Sequence, residues 1–196
     1  MNLENTIEII KKEINGYCTE TISFRLFTRS DTFPLYDATL NPDFNKKLAW
    51  GPPSCFEDVL SQTEKLLEDM NNSQAAVISM TEKHTGAWCG VIKFSIYKDS
   101  VIQSLWFHPN YWNKPIIIFG SSAAIDIIFK ATGLRKLYAK YILGHNTTKK
   151  ILKKNGFVYI ENDPIEHTDG RLIDCEAYEL SYENWQGKSK TKLLQY

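Results

Sequence analysis

The side chains best suited to chemistry in this chain of 196 residues are its four histidines, four cysteines and five tryptophans. His108 follows a β-prone run and precedes Pro109. An imidazole there needs little tuning to accept a proton near neutral pH, so His108 reads either as a general base or as an ordinary loop histidine. His84 falls in a turn and His145 just ahead of a helix, both expected on the surface. His167 belongs to the charged stretch NDPIEHTDG (162–170), which either overhangs a site or is a solvated turn. Cys18, Cys55, Cys89 and Cys175 are far apart and form no CxxC pair, which argues against a zinc site or a redox dithiol. They read as free thiols of a reducing cytosol, so a cytoplasmic protein without a metal is expected. Trp50, Trp88 and Trp106 either line a binding pocket or belong to the core. Asn146 and Thr148 stand at the start of a helix, where such residues are commonly caps.

The elements that would hold these groups follow from periodicity. Leu3, Ile7, Ile10 and Ile14 recur at helical spacing, predicting an amphipathic helix over 3–16 that packs on the domain. TISFRLFT (21–28) alternates as a strand and leads into a helix started by Ser30-Asp31, with Pro34 in its first turn. Phe56, Val59, Leu60, Thr63, Leu66, Leu67 and Met70 share one face of a second helix. Three antiparallel strands are predicted at 75–81, 88–97 and 101–107. An apolar helix over 116–131, closed by Gly133, precedes a strand at 135–142. A helix at 147–154 and strands at 157–161 and 172–181 complete the order. This succession predicts an α+β domain with one helix buried between central strands.

Lys and Arg number 23, as do Asp and Glu, so no overall field draws the protein to nucleic acid or to an anionic membrane. The most apolar stretch, Pro115 to Phe129, is interrupted by Gly120, Ser121, Ser122 and Asp126 and is expected to be too short to cross a bilayer. The N-terminus lacks the design of a secretory signal. The predicted organisation is a helical extension (1–19), a single domain (20–186) and a basic, mobile tail (187–196), as a monomer or homodimer.

Three stretches carry a family resemblance. FRLFTRSDTFPLYDATLNPDFNKKLAWGP (24–52) holds an opening strand and helix with a loop ending in tryptophan. FHPNYWNKPIIIFGSSAAIDIIFKATGLRKLYA (107–139) has a strand ending at Pro, a Tyr-Trp pair, and a helix running to Gly-Leu. HNTTKKILKKNGF (145–157) and YELSYENWQ (178–186) supply a helix ending at Gly-Phe and a closing strand with tryptophan. From about Thr21 to Trp185 the chain resembles the GCN5-related N-acetyltransferases (GNATs), and within them the ribosomal-protein N-terminal (Rim-type) branch.

The resemblance implies the GNAT fold, a mixed and mostly antiparallel sheet flanked by helices. It also implies transfer of an acetyl or other acyl group from acetyl-CoA or another acyl-CoA to a primary amine of a protein N-terminus or a small molecule. Ser104 to Phe107, with Trp106 and Phe107 as cofactor-binding residues, match the strand that holds the pantetheine arm. Asn113, Lys114, Pro115, Ile116 and Ile117 match the turn that grips the pyrophosphate, where N–H groups and the helix dipole meet the anion. Pro115 and Ile117 stand where the family has small residues: the first has no N–H, and the second is expected to crowd the phosphate. Asn146 falls near the Asn of the family's Asn-x-x-Ser helix start, and Thr148 at its Ser position. The resemblance makes Thr148 a candidate donor to the leaving thiolate, His108 a candidate base, and Trp50 and Trp88 candidate acceptor contacts. Leu152 fills the place where some relatives carry a catalytic tyrosine. Two other readings remain open: a GNAT-fold binding or regulatory protein impaired in transfer, and an acyltransferase with a non-CoA donor such as an acyl carrier or aminoacyl-tRNA.

Overall fold

A computed structural model describes residues 2–46, 51–144, 146–167 and 170–186. Helix α1 spans Leu3–Ile14, opened by Asn2, whose side chain accepts the Asn5 N–H. Its isoleucine stripe, Ile7, Ile10 and Ile14, is fully buried. Each such side chain contributes roughly 1.5–3 kcal/mol by leaving water. Strand β1 (Ile22–Leu26) leads through a short turn into α2 (Thr32–Thr39) and then α3 (Pro42–Asn45), a single turn that the periodicity is too short to reveal. Helix α4 covers Phe56–Asn71 and buries Val59, Thr63 and Met70 on the predicted face. Strands β2 (Ala75–Glu82), β3 (Trp88–Tyr97) and β4 (Ser100–Phe107) form the expected antiparallel meander.

Helix α5 (Pro115–Thr132) follows, capped by Gly133 in the left-handed conformation, then β5 (Lys136–Ile142) and α6 (Asn146–Asn155). Beyond α6 the observed pattern is finer than the expected pair of strands. Strand β6 (Val158–Asn162) and β9 (Cys175–Ser181) join the main sheet, while β7 (Ile165–Glu166) and β8 (Leu172–Ile173) pair separately as a small hairpin. Residues 172–173 therefore leave the sheet: the Leu143 N–H is taken by the Asp174 carbonyl, and ladder pairing resumes at Cys175.

The main sheet has seven strands in the order β1-β2-β3-β4-β5-β9-β6. Its pairs are antiparallel except β4 with β5, because α5 carries the chain back to begin β5 in the same direction as β4. Helices α1 and α5 cover one face with the larger core; α2 and α4 cover the other with a core around Phe27, Leu35, Phe44 and Val59. Gly120 lets α5 approach the sheet, since a Cβ there would stand 2.1 Å from Met80 Sδ. At 18 residues and mean hydropathy 1.5, α5 is long and apolar enough to cross a membrane, which corrects the expectation drawn from its interruptions. Its Gly120, Ser121, Ala124 and Ile128 are instead buried against the protein.

Candidate functional site

The parallel pair β4/β5 is held together only at Val101↔Leu137, Ile102↔Tyr138 and Gln103↔Ala139. Past that point each strand stays anchored on its outer side, β4 to β3 through Phe107 and β5 to β9 through Ile142, while the facing edges part. The wedge between them is a cleft of about 240 Å3. Side chains alternate across a sheet, so the cleft communicates with both faces. Gln103, Leu105 and Phe107 lie on the α5 side, as the Gln103 bond to Ser121 of α5 shows. Ile102, Ser104 and Trp106 lie on the α4 side, where Trp106 also walls a second cavity of about 370 Å3. Thr148 and Leu152 of α6 close the first side; Phe44, Ile165 and Cys175 close the second.

The turn that opens α5 is built by Pro109 to Lys114, with Asn113 at φ 64°, a left-handed conformation that asparagine tolerates better than most residues. Trp112 ties the turn to the strand by donating its indole N–H to the Phe107 carbonyl at 2.9 Å. Lys114 is the N-cap and makes no side-chain cap bond; its N–H is taken by the Tyr111 carbonyl, and its ammonium sits over the Tyr111 ring at 4.8 Å. Pro115 has no N–H to give. By the geometry of a helix start, the N–H groups of Ile116 and Ile117 are left for an anion. The Ile117 side chain is 1% exposed and belongs to the core, turned away from the surface of the turn. What Pro115 takes away is a donor, and what Ile117 keeps is one. The free strand edges and these two N–H groups fit a ligand that carries an amide arm and a phosphate.

Thr148 lies in the first turn of α6 and lines the cleft four residues ahead of Leu152, on the same helical face. Tyr141 lines it from β5, but its hydroxyl donates to Glu176 Oε2 at 2.7 Å. Burial, followed by that bond to Glu176, pushes the Tyr141 phenol up to about 12, so at neutral pH it is a poor proton donor to a leaving group. Glu176 also accepts from Tyr178 at 2.7 Å and from Lys149 at 3.2 Å. The Tyr141 and Tyr178 hydroxyls, and then Lys149, hold its carboxyl down to about 2. A carboxylate depressed in the folded state stabilises fully above its unfolded pKa near 4.5 and loses that contribution as pH falls toward 2. Urea titrations between pH 5 and 2 should therefore show a steeper loss of stability for the wild type than for Glu176→Gln. Equal slopes would remove Glu176 from the acid response.

His108 does not line the cleft. It is the N-cap of the 109–111 turn, its Nδ1 accepting the Asn110 N–H at 3.2 Å. That leaves Nε2 to carry the proton and donate to Asp37 Oδ2 at 2.9 Å, tying the end of β4 to α2. With both nitrogens engaged, His108 ties β4 to α2 and stands outside the cleft lining. Trp88 packs at the other core, with its indole N–H 3.4 Å from Ser79 Oγ and its ring edge-on to His108. Asn146 is exposed at the first residue of α6 and is not part of the cleft wall. Trp50, His145 and the 187–196 tail lie outside the described residues. The sequence reading missed Phe44, Gln103, Lys140 and Tyr141 as cleft residues; only Gln103, a lone amide in the run VIQSLWF, offered a signal.

A sequence profile of the acetyltransferase (GNAT) domain matches residues 21–158. No curated protein sequence matches the chain. Among solved structures, a GCN5-related N-acetyltransferase from Brucella melitensis superposes with a TM-score of 0.75 at 13% identity, covering 90% of this chain and 82% of that one. The ribosomal-protein-S5-alanine acetyltransferase of Vibrio fischeri gives 0.66 at 19% identity, over 86% and 97% of the two chains. Spermidine N-acetyltransferase from Vibrio cholerae, in complex with CoA and spermine, gives 0.70 at 14% identity, over 86% and 99%. At these identities the structural likeness establishes the fold.

Proposed function

The chain belongs to the GNAT acetyltransferase family, and from that membership we propose that it moves an acyl group from an acyl-CoA to the α-amine of a protein N-terminus bearing a small apolar residue. The observation that carries this reading is the parted β4/β5 edge, open to both faces and reaching Thr148. An arm bound along β4 from the α5 side would bring its thioester toward the α4 side, where the acceptor enters. That mouth is apolar, formed by Phe44, Ile102, Trp106, Ile142 and Ile165. Its one cation, Lys140, is paired with Asp163 Oδ2 at 2.6 Å. Among the described residues lining the cleft none is a carboxylate or an imidazole, so a polyamine finds no counter-charge there.

The same lining bears on the proton. Without a base in the cleft the amine must arrive neutral, and an α-amine with a pKa of about 8 does so far more often near neutral pH than a lysine or polyamine at about 10. The neutral nitrogen attacks the thioester carbonyl carbon; the C–N bond forms, the C–S bond breaks, and the nitrogen sheds its surplus proton to water. In this reading the hydroxyl of Thr148, which lines the cleft, donates a hydrogen bond to the departing sulfur, and the thiolate then takes a proton from water to end as the thiol.

Thiol release from acetyl-CoA tests the reading, with an alanine-terminated peptide and spermine as rival acceptors. Turnover on the peptide is expected to exceed that on spermine. Thr148→Val should lower kcat about tenfold with the KM for acetyl-CoA little changed, the mark of an interaction made in the transition state. Faster turnover on spermine would overturn the acceptor assignment. No heat on titrating acetyl-CoA to millimolar concentration would leave the binding-protein or non-CoA reading in its place.

A further inference from the structure

Gln103 is the polar group at the apex of the cleft, on the last paired rung of β4 with β5, and it is 2% exposed. Its Nε2 donates to Ser121 Oγ at 3.0 Å, and Ser121 Oγ also accepts from Asn155 Nδ2 at 3.0 Å. This chain of bonds joins β4, α5 and α6 and fixes the amide in place. The other end of the amide, Oε1, is buried with no hydrogen-bond partner among the described residues. A buried carbonyl left unpaired is costly, and a leucine would serve better if the position were only packing. On this side of the cleft Leu105, Ala139 and Leu152 carry no donor, the Tyr141 hydroxyl and the Trp112 indole N–H are given to Glu176 and to the Phe107 carbonyl, and the Thr148 hydroxyl makes no bond to Oε1. The missing partner is therefore a donor that enters the cleft from outside.

We propose that Gln103 Oε1 accepts the N–H of a secondary amide in the pantetheine arm of the acyl donor, and so sets how deeply the arm seats between β4 and β5. The inference rests on the acyl-CoA reading above. The arm carries two such amides, each with a single N–H and no charge, which suits a neutral acceptor in an apolar wedge. A cation is a poorer match, because one carbonyl cannot replace the hydration of an ammonium. Gln103 is on this account a binding residue for the donor and takes no part in proton transfer.

Calorimetric titration of the full chain with acetyl-CoA, and separately with adenosine bisphosphate (the nucleotide end of CoA without its arm), tests the proposal. Gln103→Leu is expected to weaken acetyl-CoA about five- to tenfold, the worth of one neutral hydrogen bond, while leaving the nucleotide unchanged. Ser121→Ala breaks the same Gln103–Ser121 bond from its other end but keeps Oε1, and it should weaken acetyl-CoA less than twofold. Gln103→Met, with the fold checked by thermal unfolding, repeats the test should the leucine variant prove unstable. Parallel losses for both ligands, or equal losses in Gln103→Leu and Ser121→Ala, would make Gln103 a structural strut and overturn the contact. Unchanged acetyl-CoA affinity in both Gln103 variants would show that Oε1 meets only water. If the wild type binds neither ligand, the acyl-CoA reading itself has failed, and this contact with it.

Discussion

Gly90→Ala is expected to cost about 3 kcal/mol or more of folding stability. Gly90 sits in β3 opposite Phe107, with φ at 151°, and a Cβ built on it would stand 2.3 Å from the Trp106 carbonyl oxygen and 2.8 Å from the Phe107 Cα. Both atoms are backbone, so no side-chain rotation relieves the clash; β4 itself has to move. The strand that must move is the wall of the cleft, and acetyl-CoA affinity should fall along with stability. Urea unfolding measures the first and calorimetry the second, and a melting temperature lower by roughly 6–12 °C is the thermal counterpart. Gly133→Ala makes a useful comparison: it also has positive φ, at 67°, but nothing lies within 4 Å of its Cβ. It should cost only about 1 kcal/mol, the price of a left-handed non-glycine residue. If Gly90→Ala proves as mild as Gly133→Ala, β4 is far more yielding than its pairing suggests.

The second large effect separates two residues that look alike in the sequence. Pro115→Ala returns an N–H to the first turn of α5, and a hydrogen bond to a phosphate oxygen contributes about 1.5–3 kcal/mol. Affinity for acetyl-CoA should rise at least tenfold, with little loss of fold, because alanine is a strong helix former. Ile117→Ala should do the reverse. Its side chain is 1% exposed in the core, so truncation is expected to cost about 2–5 kcal/mol in stability and to improve CoA binding not at all. Titration at two salt concentrations checks that any gain from Pro115→Ala is electrostatic. No gain would count against a phosphate site at the start of α5.

These outcomes turn on what periodicity can and cannot resolve. The isoleucine stripe of α1, the alternation in β2 to β4 and the glycine closing α5 are local patterns, and each element formed where its pattern lay. The cleft needed more. That Gln103 would be buried and bonded through Ser121 to Asn155 depends on contacts across 18 and 34 positions of sequence. That His108 would be bound to Asp37 depends on a contact across 71 positions. For Ile117, the spacing placed a bulky residue in the phosphate turn, yet only the rotation of α5 about its axis showed that its side chain faces the core.

By itself, then, the sequence determined the longer helices and strands and their order, the family pattern and the loss of a donor at Pro115, but not the single-turn α3 or the β7/β8 hairpin. Tertiary structure decided where β4 and β5 part, which face of each strand meets the wedge, and which polar atoms are left unpaired inside it. The physical reason is one of range. Backbone preference and side-chain period act within a few residues, whereas a binding cleft is made of distances between segments that only packing brings together.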